Sequence, residues 1–165
     1  MGTVEATVHP GRRFEDFYRD QWASIRRAVG FTVGEPDLAR ECVDEAMTRA
    51  YERWAQVGVM DRPAGWVYRV AVNQARNRGR RRRTERDRRP PPVAPVPGAD
   101  TMADPAVAAA VALLPLDQRA VVVLRFYLDW STEEVATALG IAEGTVKSRL
   151  HRALRRLETS LQEPA

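Results

Sequence analysis

Cysteine, lysine and histidine are scarce in this sequence, and each scarcity narrows the possible functions. Cys42 is the only cysteine among 165 residues, so an intrachain disulfide is impossible and a zinc cage is not expected. Histidine occurs twice, as His9 and His151. No cluster of metal-binding carboxylates, phosphate-binding loop or nucleophile–base pair accompanies them. We therefore expect no metal, no cofactor and no enzymatic activity.

Long apolar runs are also missing. No stretch approaches the roughly 20 apolar residues of a transmembrane helix, and the N-terminus has no signal-peptide core. The hydrophobic share of 44% is nevertheless sufficient for ordinary protein cores. These features predict a cytoplasmic protein with no membrane insertion.

Positive charge is in excess, and it is unevenly distributed. The formal net charge is +4 and the sequence pI is about 9.8, which makes an acidic polymer a candidate partner. Residues 62–89 contain eleven arginines against two acidic residues, whereas residues 35–61 contain seven acidic residues against three arginines. The opposite signs indicate two different partners or two different surfaces.

Residues 131–157, STEEVATALGIAEGTVKSRLHRALRRL, are interpreted as two helices joined by a tight turn. Ser131 followed three residues later by Glu134 is a capping box, in which each side chain bonds a free backbone N–H. Gly140 suits the left-handed conformation that ends many helices. The second helix has an apolar face at three- and four-residue spacing. That face comprises Val146, Leu150, Ala153, Leu154 and Leu157.

The opposite face of the second helix is polar and cationic. Such a helix suits the DNA major groove, because side chains near its N-terminus reach base edges while flanking cations hold phosphates. An ordinary amphipathic helix with a solvated basic face is the alternative. The capped helix and the glycine turn that precede it favour a helix-turn-helix. The candidate DNA-binding residues are Thr145, Lys147, Ser148, His151, Arg152 and Arg155.

A second candidate nucleic-acid site lies on the helix predicted from Pro63 to about Arg82. Aromatic faces stack on unpaired bases, amides hydrogen-bond base edges and guanidinium groups neutralise phosphates, so a mixture of the three favours single-stranded nucleic acid over a closed duplex. The alternative, which stays open for Trp66 in particular, is that the aromatic rings belong to the core. The candidate residues are Trp66, Tyr68, Arg69, Asn73, Arg76 and Asn77.

Residues 84–103 separate two helical parts of the chain. They contain five prolines and show no apolar periodicity, which is typical of a semi-rigid linker. At about 3.1 Å per residue, some 20 residues span roughly 60 Å, the length of about 18 base pairs. Two DNA-contacting parts could therefore reach separate elements of one duplex.

The helical periodicities predict an all-α fold of two small helical domains joined by this Pro-rich linker. Residues 12–83 form a three-helix N-terminal domain, whose first helix runs from Phe14 to Val29 and is closed by Gly30 and Gly34, and residues 57–62 form a loop. Residues 104–161 form a four-helix C-terminal domain that ends in the helix-turn-helix. The C-terminal core is expected to contain Leu113, Leu114, Leu116, Val121, Val122, Leu124 and Phe126.

Two segments, one on each side of the linker, resemble the extracytoplasmic-function (ECF) RNA polymerase sigma factors. The resemblance is to the minimal class of that family, which has regions 2 and 4. LARECVDEAMTRAYERW followed by RPAGWVYRVAVNQARN resembles the second conserved region of that family. LPLDQRAVVVLRFYLDWSTEEVATALGIAEGTVKSRLHRALRRL resembles the fourth. The fourth region alone also resembles response-regulator output domains, whereas the pair joined by a Pro-rich linker is specific. The resemblance covers about Phe14 to Leu161.

The resemblance implies a sigma factor that binds core RNA polymerase, recognises the −35 and −10 promoter elements and promotes DNA melting. The C-terminal domain would read the −35 element. The loop from Val57 to Arg62 and the helix from Pro63 would capture an unstacked base of the −10 element and hold the opened strand. The acidic face around Asp44, Glu45 and Arg49 would dock on the clamp helices of the largest polymerase subunit. Taken alone, that face is equally well explained as solvated surface. An anti-sigma factor, common in this family, is a further candidate partner.

Two positions depart from the family's usual pattern. Ala142 stands where serine or threonine often caps the recognition helix, so we expect that helix start to be weaker by about 1 kcal/mol. Asp44 stands where the family often has glutamine, which changes the expected contact with the polymerase clamp.

The competing interpretation is a stand-alone helix-turn-helix transcriptional regulator. Such a protein binds duplex DNA by itself and usually dimerises on a palindrome. This interpretation does not explain the aromatic, amide and arginine side chains of the helix from Pro63.

Overall fold

The computed structural model describes residues 11–85 and 104–162, which form helices and connecting turns and contain no strand. This confirms the all-α prediction. No helix within these ranges is long and apolar enough to cross a bilayer. The expected N-terminal tail, up to residue 10, and most of the expected linker, residues 86–103, lie outside the described residues. The helices are α1 (Phe14–Val33), α2 (Pro36–Glu52), α3 (Trp54–Val57), α4 (Pro63–Glu85), α5 (Pro105–Ala112), α6 (Leu116–Val122), α7 (Thr132–Leu139) and α8 (Glu143–Gln162), with a π-helical turn, Val123–Tyr127, continuing α6.

Several helices begin and end at the expected signals. The Ser131 hydroxyl accepts a hydrogen bond from the backbone N–H of Glu134 at 3.1 Å, and the Glu134 carboxylate accepts one from the Ser131 N–H at 2.7 Å. The capping box is therefore present at the start of α7. Gly140 ends the helix with a φ of 65°, in the left-handed region. Asp104 caps α5 by accepting a hydrogen bond from the N–H of Ala106 at 2.8 Å.

The predicted end of α1 is wrong by one turn. Gly30 lies buried inside the helix, which continues to Val33 and ends at Gly34, where φ is 78°. The apolar pattern continues past Gly30, and Phe31 is buried in the core. Its burial outweighs the roughly 1 kcal/mol that a glycine costs inside a helix.

The N-terminal part also contains one more helix than predicted. The single-turn helix α3 follows α2 after a break at Arg53, and the loop starts at Gly58 rather than at Val57. The indole of Trp54 donates a hydrogen bond to the backbone carbonyl of Arg12 at 2.7 Å. This bond and the packing of buried Val57 stabilise a turn that is too short for sequence periodicity to reveal.

The two helical groups, α1–α4 and α5–α8, share one continuous hydrophobic core. Phe17 and Val67 from the first group belong to the same buried cluster as Leu124, Trp130 and Val135 from the second. A smaller cluster lies under α5 and α8. Its buried members are Val111, Leu114, Val122 and Ala153.

Two residues expected in the C-terminal core lie at the surface instead. Leu113 is 72% exposed and Phe126 is 58% exposed. Leu113 follows the last residue of α5, and Phe126 lies in the π-helical turn, so both depart from the α-helical periodicity on which the prediction rests.

Candidate nucleic-acid interface

Helix α8 presents the predicted polar face to solvent. Its inner side is anchored by Val146 and Ala153, both fully buried. Of the six predicted residues, only Thr145 is half-buried, and its carbonyl accepts a hydrogen bond from the hydroxyl of Ser148 at 3.1 Å. The exposed members are Lys147, Ser148, His151, Arg152 and Arg155. They form one continuous face on a single helix.

The start of α8 lacks a side-chain cap, because the residue that precedes the helix is Ala142. The backbone carbonyl of Ala142 accepts hydrogen bonds from the N–H groups of Thr145 and Val146, at 3.0 and 3.1 Å. An alanine side chain has no oxygen with which to bond the remaining free N–H groups. Open space surrounds Gly144 in this first turn, so the backbone here is accessible to a large ligand.

Helix α4 places its predicted residues in different environments. Tyr68 is fully buried, and its hydroxyl lies 2.6 Å from the hydroxyl of Thr32 in a buried hydrogen bond. Burial raises the pKa of Tyr68 above its ordinary value. The prediction that Tyr68 contacts a DNA strand is wrong for this structure, since its ring belongs to the core between α4 and α1.

The other predicted residues of α4 reach the surface to different extents. Trp66 and Arg69 are half-buried, and Asn73, Arg76 and Asn77 are exposed. Asn77 accepts a hydrogen bond from Arg80 at 2.9 Å. The alternative that the Trp66 ring belongs to the core is partly correct, because this ring packs against the core while remaining accessible.

A small cavity between α4 and the C-terminal helices brings the two candidate DNA-binding regions together. Its volume is about 150 Å³. On its N-terminal side are Arg69, Asn73 and Arg76, and on its C-terminal side is Arg149 of α8. Between them the carboxylate of Asp117 pairs with Arg76 through one oxygen and lies 3.6 Å from Arg149 through the other. The periodicity of the sequence did not predict that the two candidate DNA-binding regions lie next to each other.

The proposed polymerase-binding residues on α2 already have partners within the chain. Asp44 accepts a hydrogen bond from the indole of Trp22 at 2.9 Å. The carboxylate of Glu45 lies 2.7 Å from the guanidinium of Arg49 and also pairs with Arg78 of α4. Asp44 and Arg49 remain exposed, and Glu45 is half-buried.

Part of the acidic segment and part of the basic segment therefore neutralise each other. Arg78 lies 3.4 Å from the carboxylate of Glu41, and Arg82 lies 3.5 Å from that of Glu35. The expectation of two separate surfaces overlooked this pairing. The opposite charges of α2 and α4 were the available signal, because neighbouring helices of opposite charge tend to pair.

An aromatic groove beside Asp44 was also missed. Its volume is about 540 Å³, and Met47 and Thr48 form part of its floor. Tyr51, on its rim, is 61% exposed. Three aromatic side chains of α1 also line this groove. They are Phe14, Tyr18 and Trp22.

No group that suggests metal or redox chemistry was found among the described residues. Cys42 is fully buried, and burial raises the pKa of its thiol. A thiol in such surroundings behaves as a small apolar side chain. Within the described ranges, no cluster of three or more histidine, cysteine, aspartate or glutamate residues could hold a metal ion.

Comparisons with known proteins identify the family. Residues 105–157 match the model of "Sigma-70, region 4". The chain is 37% identical over 154 residues to the ECF RNA polymerase sigma factor SigL of Mycobacterium tuberculosis, covering 88% of this chain and 87% of SigL. It is 36% identical over 151 residues to the RNA polymerase sigma-E factor of Streptomyces coelicolor, covering 90% and 85%.

A solved structure shares the fold over most of the chain. The sigma factor RpoE of Bartonella quintana, determined in complex with the anti-sigma factor NepR, superposes with a TM-score of 0.71 at 21% identity. The match covers 92% of this chain and 98% of RpoE. By its extended sequence identity to SigL, the chain belongs to the family of ECF RNA polymerase sigma factors.

Proposed function

We propose that this chain acts as a dissociable initiation subunit that reads a −35 element through α8, captures the opened −10 strand through α4 and binds core RNA polymerase through α1 and α2. One observation supports this proposal most strongly. The chain presents two different sets of accessible polar, cationic and aromatic side chains, one suited to a duplex groove and one suited to an unpaired strand. A regulator that binds only duplex DNA has no use for the second set.

Duplex recognition rests on the exposed face of α8. Arg152 and Lys147 offer cations, and Ser148 and His151 offer hydrogen-bonding groups, all on the solvent side of a helix anchored from behind. Base edges in the major groove present the matching acceptors and donors. The absence of a side-chain cap leaves backbone N–H groups at the start of α8 for a DNA phosphate.

Strand capture rests on the accessible part of α4. Trp66 offers an aromatic face, Asn73 an amide and Arg69 and Arg76 cations. Tyr68 supports this site from the core rather than by touching DNA. A flipped base stacks and hydrogen-bonds only in the open state, so the binding favours melting through differential affinity. No covalent bond is made or broken in this role.

Polymerase binding rests on the acidic and aromatic surface of the N-terminal helices. Asp44 and Arg49 are exposed at its charged part, and Tyr51 and Tyr18 are exposed at its aromatic part. Aromatic rings with a polar rim are typical of protein interfaces. Glu45 holds Arg49 and Arg78 in place beside this surface.

The proposed role includes a division of labour along the chain. Residues 12–83 serve the polymerase and the −10 element, residues 104–161 serve the −35 element and residues 84–103 link them. The place of action is the cytoplasm, where the polymerase works. RpoE of Bartonella quintana binds an anti-sigma factor, and we propose that this chain has a partner of the same kind.

Reconstitution tests the proposal. Purified chain is mixed with bacterial core RNA polymerase, and co-elution is followed by size-exclusion chromatography. Strand opening on genomic promoter fragments is then detected with permanganate. We expect co-elution and promoter-dependent opening. Failure to bind core polymerase, together with tight binding to duplex DNA alone, would contradict the proposal.

A variant separates the two DNA roles. Asn73→Ala should reduce strand opening about tenfold or more while leaving closed-complex formation nearly unchanged, because the amide acts only on unpaired bases. Gln162→Ala, which removes an exposed amide at the end of α8, is the matched control and should leave both steps unchanged.

A further inference from the structure

A cavity of about 530 Å³ lies between the start of α2, the second half of α4 and the turn that joins α5 to α6. We call it the α4–α6 cavity. Its volume falls within the roughly 300–1,000 Å³ that is typical of small-molecule sites. Of the residues with a proposed DNA-binding or polymerase-binding role, only Arg76 lines it. The proposed function therefore gives most of this cavity no use.

One part of the α4–α6 cavity is apolar. Val33 and Leu116 line it and are half-buried, so part of each side chain still faces water. Leu38 and Leu114 also line it and are buried in the core. An apolar group placed against this wall would remove the remaining apolar surface from water, which is favourable. A hydrated inorganic ion would gain nothing from the same wall.

Helix α4 has no side chain at one point of the cavity wall. A Cβ placed on Gly79 would have no described atom within 4 Å, so no packing contact requires a glycine there. Glycine is also unfavourable inside a helix, because its backbone loses more conformational freedom than that of other residues. The missing side chain keeps this side of the cavity open to a ligand.

The cation on the α6 side of the cavity has no carboxylate partner among the described residues. The guanidinium of Arg119 donates hydrogen bonds to the backbone carbonyls of Thr32, Ala112 and Leu114, at 2.8, 2.6 and 2.8 Å. Its buried Nε has no hydrogen-bond partner in the described ranges. Burial lowers the pKa of Arg119, because desolvation disfavours the charged form. Carbonyl groups carry no net charge, so an anion would further stabilise this partly buried cation.

The two acidic residues that line the cavity are already paired with arginines. The carboxylate of Glu35 lies 3.5 Å from the guanidinium of Arg82. The carboxylate of Asp117 pairs with Arg76 and lies 3.6 Å from the guanidinium of Arg149. These three arginines and the cation on the α6 side outnumber the two carboxylates. The local charge is therefore positive and favours an anion.

We propose that the α4–α6 cavity binds a small organic anion, with a phosphate or carboxylate group at Arg119 and Arg76 and an apolar body against Val33 and Leu116. Arginine suits both kinds of anionic group, because its planar N–H groups match their oxygens in pairs. An inorganic ion would leave the apolar wall uncovered, and a neutral apolar molecule would leave the cations without a counter-charge. The site goes beyond the proposed function and does not depend on it.

Isothermal titration calorimetry of the full chain tests the site with 1-naphthyl phosphate, which has one anionic end and a flat apolar body. We expect one molecule to bind per chain, about tenfold or more tightly than inorganic phosphate or 1-naphthol, because each of these offers only one of the two parts. A ligand that binds only the folded chain stabilises it. At about ten times its Kd, 1-naphthyl phosphate should raise the melting temperature by roughly 3–6 °C.

Filling the cavity tests where the probe binds. Gly79→Leu places a large side chain at the open wall of α4 and should weaken binding of 1-naphthyl phosphate about tenfold or more. The variant should fold, because leucine favours a helix more than glycine does. Gly144→Leu is the matched control, since it makes the same change at another helical glycine with open space around it, outside the cavity. It should leave binding unchanged, and circular dichroism confirms the helical content of both variants.

Removing a cation tests the anionic end separately. Arg76→Gln should weaken binding of 1-naphthyl phosphate about fivefold and leave binding of 1-naphthol unchanged, because it removes a charge and little apolar surface. Arg27→Gln makes the same change at an exposed residue of α1 outside the cavity. This control should change neither affinity.

Four results would overturn the proposal. They are no binding of 1-naphthyl phosphate, equally tight binding of inorganic phosphate, equally tight binding of 1-naphthol, and binding that Gly79→Leu does not weaken. The second result would indicate a simple ion-binding surface, the third an apolar cleft and the fourth a different location. Failure of the polymerase reconstitution would contradict the proposed function and leave these results unaffected.

Discussion

Helices α8 and α4 both carry candidate DNA-binding side chains, but they differ in how much of their polar face is exposed. Helix α8 has one buried side and one open side, and its predicted residues lie on the open side. Helix α4 is contacted from two directions, by α1 and α2 on one side and by α7 on the other. Residue type therefore predicts accessibility well on a helix with one packed face and poorly on a helix with two.

The largest expected effect is the loss of stability on replacing Tyr68, which would test this difference between the two helices. Tyr68→Ala should lower the free energy of unfolding by about 3–5 kcal/mol, because it leaves a cavity in the core. Asn73→Ala, at an exposed position on the same helix, should change stability by less than about 0.5 kcal/mol. Urea denaturation followed by circular dichroism measures both. Equal stability losses would contradict the assignment of Tyr68 to the core and of Asn73 to the surface.

On α8 the expected effect is on binding rather than on stability. Arg152→Ala should weaken binding of the chain to a duplex −35 fragment by about 1–3 kcal/mol. The melting temperature of the protein should stay unchanged. Arg27→Ala is the matched control, since this exposed arginine lies on α1, for which no contact with the −35 element is predicted. Fluorescence anisotropy provides the measurement, and similar losses in both variants would argue against a specific role for the predicted face.

Two glycines in the helix-turn-helix should respond to alanine substitution in opposite directions. Gly140→Ala should cost about 1–2 kcal/mol, because the residue has a φ of 65° and alanine disfavours the left-handed region. A Cβ at this position would also lie 2.6 Å from a guanidinium nitrogen of Arg69, which would have to move. Gly144→Ala should stabilise the chain by roughly 0.5 kcal/mol, since the site lies in open space within a helix. Thermal unfolding of the two variants should give shifts of opposite sign.

The smallest effect is a pH dependence of stability to which Tyr68 of α4 contributes. Burial raises the pKa of Tyr68 above its ordinary value of about 10. The folded chain therefore holds this proton more tightly than the unfolded chain, and stability falls once the pH rises above about 10. Tyr68→Phe should reduce this alkaline loss, and it should cost about 1 kcal/mol at neutral pH through the lost hydrogen bond to Thr32. An unchanged alkaline slope in urea titrations would assign the loss to other groups.

Local signals predicted most of the helix-turn-helix. The Ser131–Glu134 capping box, the left-handed Gly140 and the buried stripe through Val146 depend on residues within one or two turns of each other. Local residue types also mark two other helix starts, since Pro36 is the first residue of α2 and the Asp104 side chain caps α5. Local signals gave the wrong end for α1 at Gly30. The burial of neighbouring residues there outweighs the cost of a glycine inside a helix.

The candidate site on α4 was predicted only in part. Residue types identified Asn73 and Arg76 as groups able to bind nucleic acid, and the structure shows both side chains exposed. The same reasoning misplaced Tyr68, because an aromatic residue with a hydroxyl suits both a base-stacking surface and a core position with a hydrogen-bond partner. Thr32 is that partner, 36 residues earlier in the chain. Nothing local to α4 indicates it.

The amino-acid sequence by itself determined the helices, their caps, the family and the chemistry of the two candidate DNA-binding faces, because each of these depends on residue type and short spacing. Only the tertiary structure decided that Glu45 pairs with Arg78, that Arg119 bonds the carbonyl of Thr32 and that Asp117 joins Arg76 to Arg149. Such contacts link residues far apart in the chain. Their formation depends on how helices pack, which balances burial, charge and chain entropy over the whole molecule.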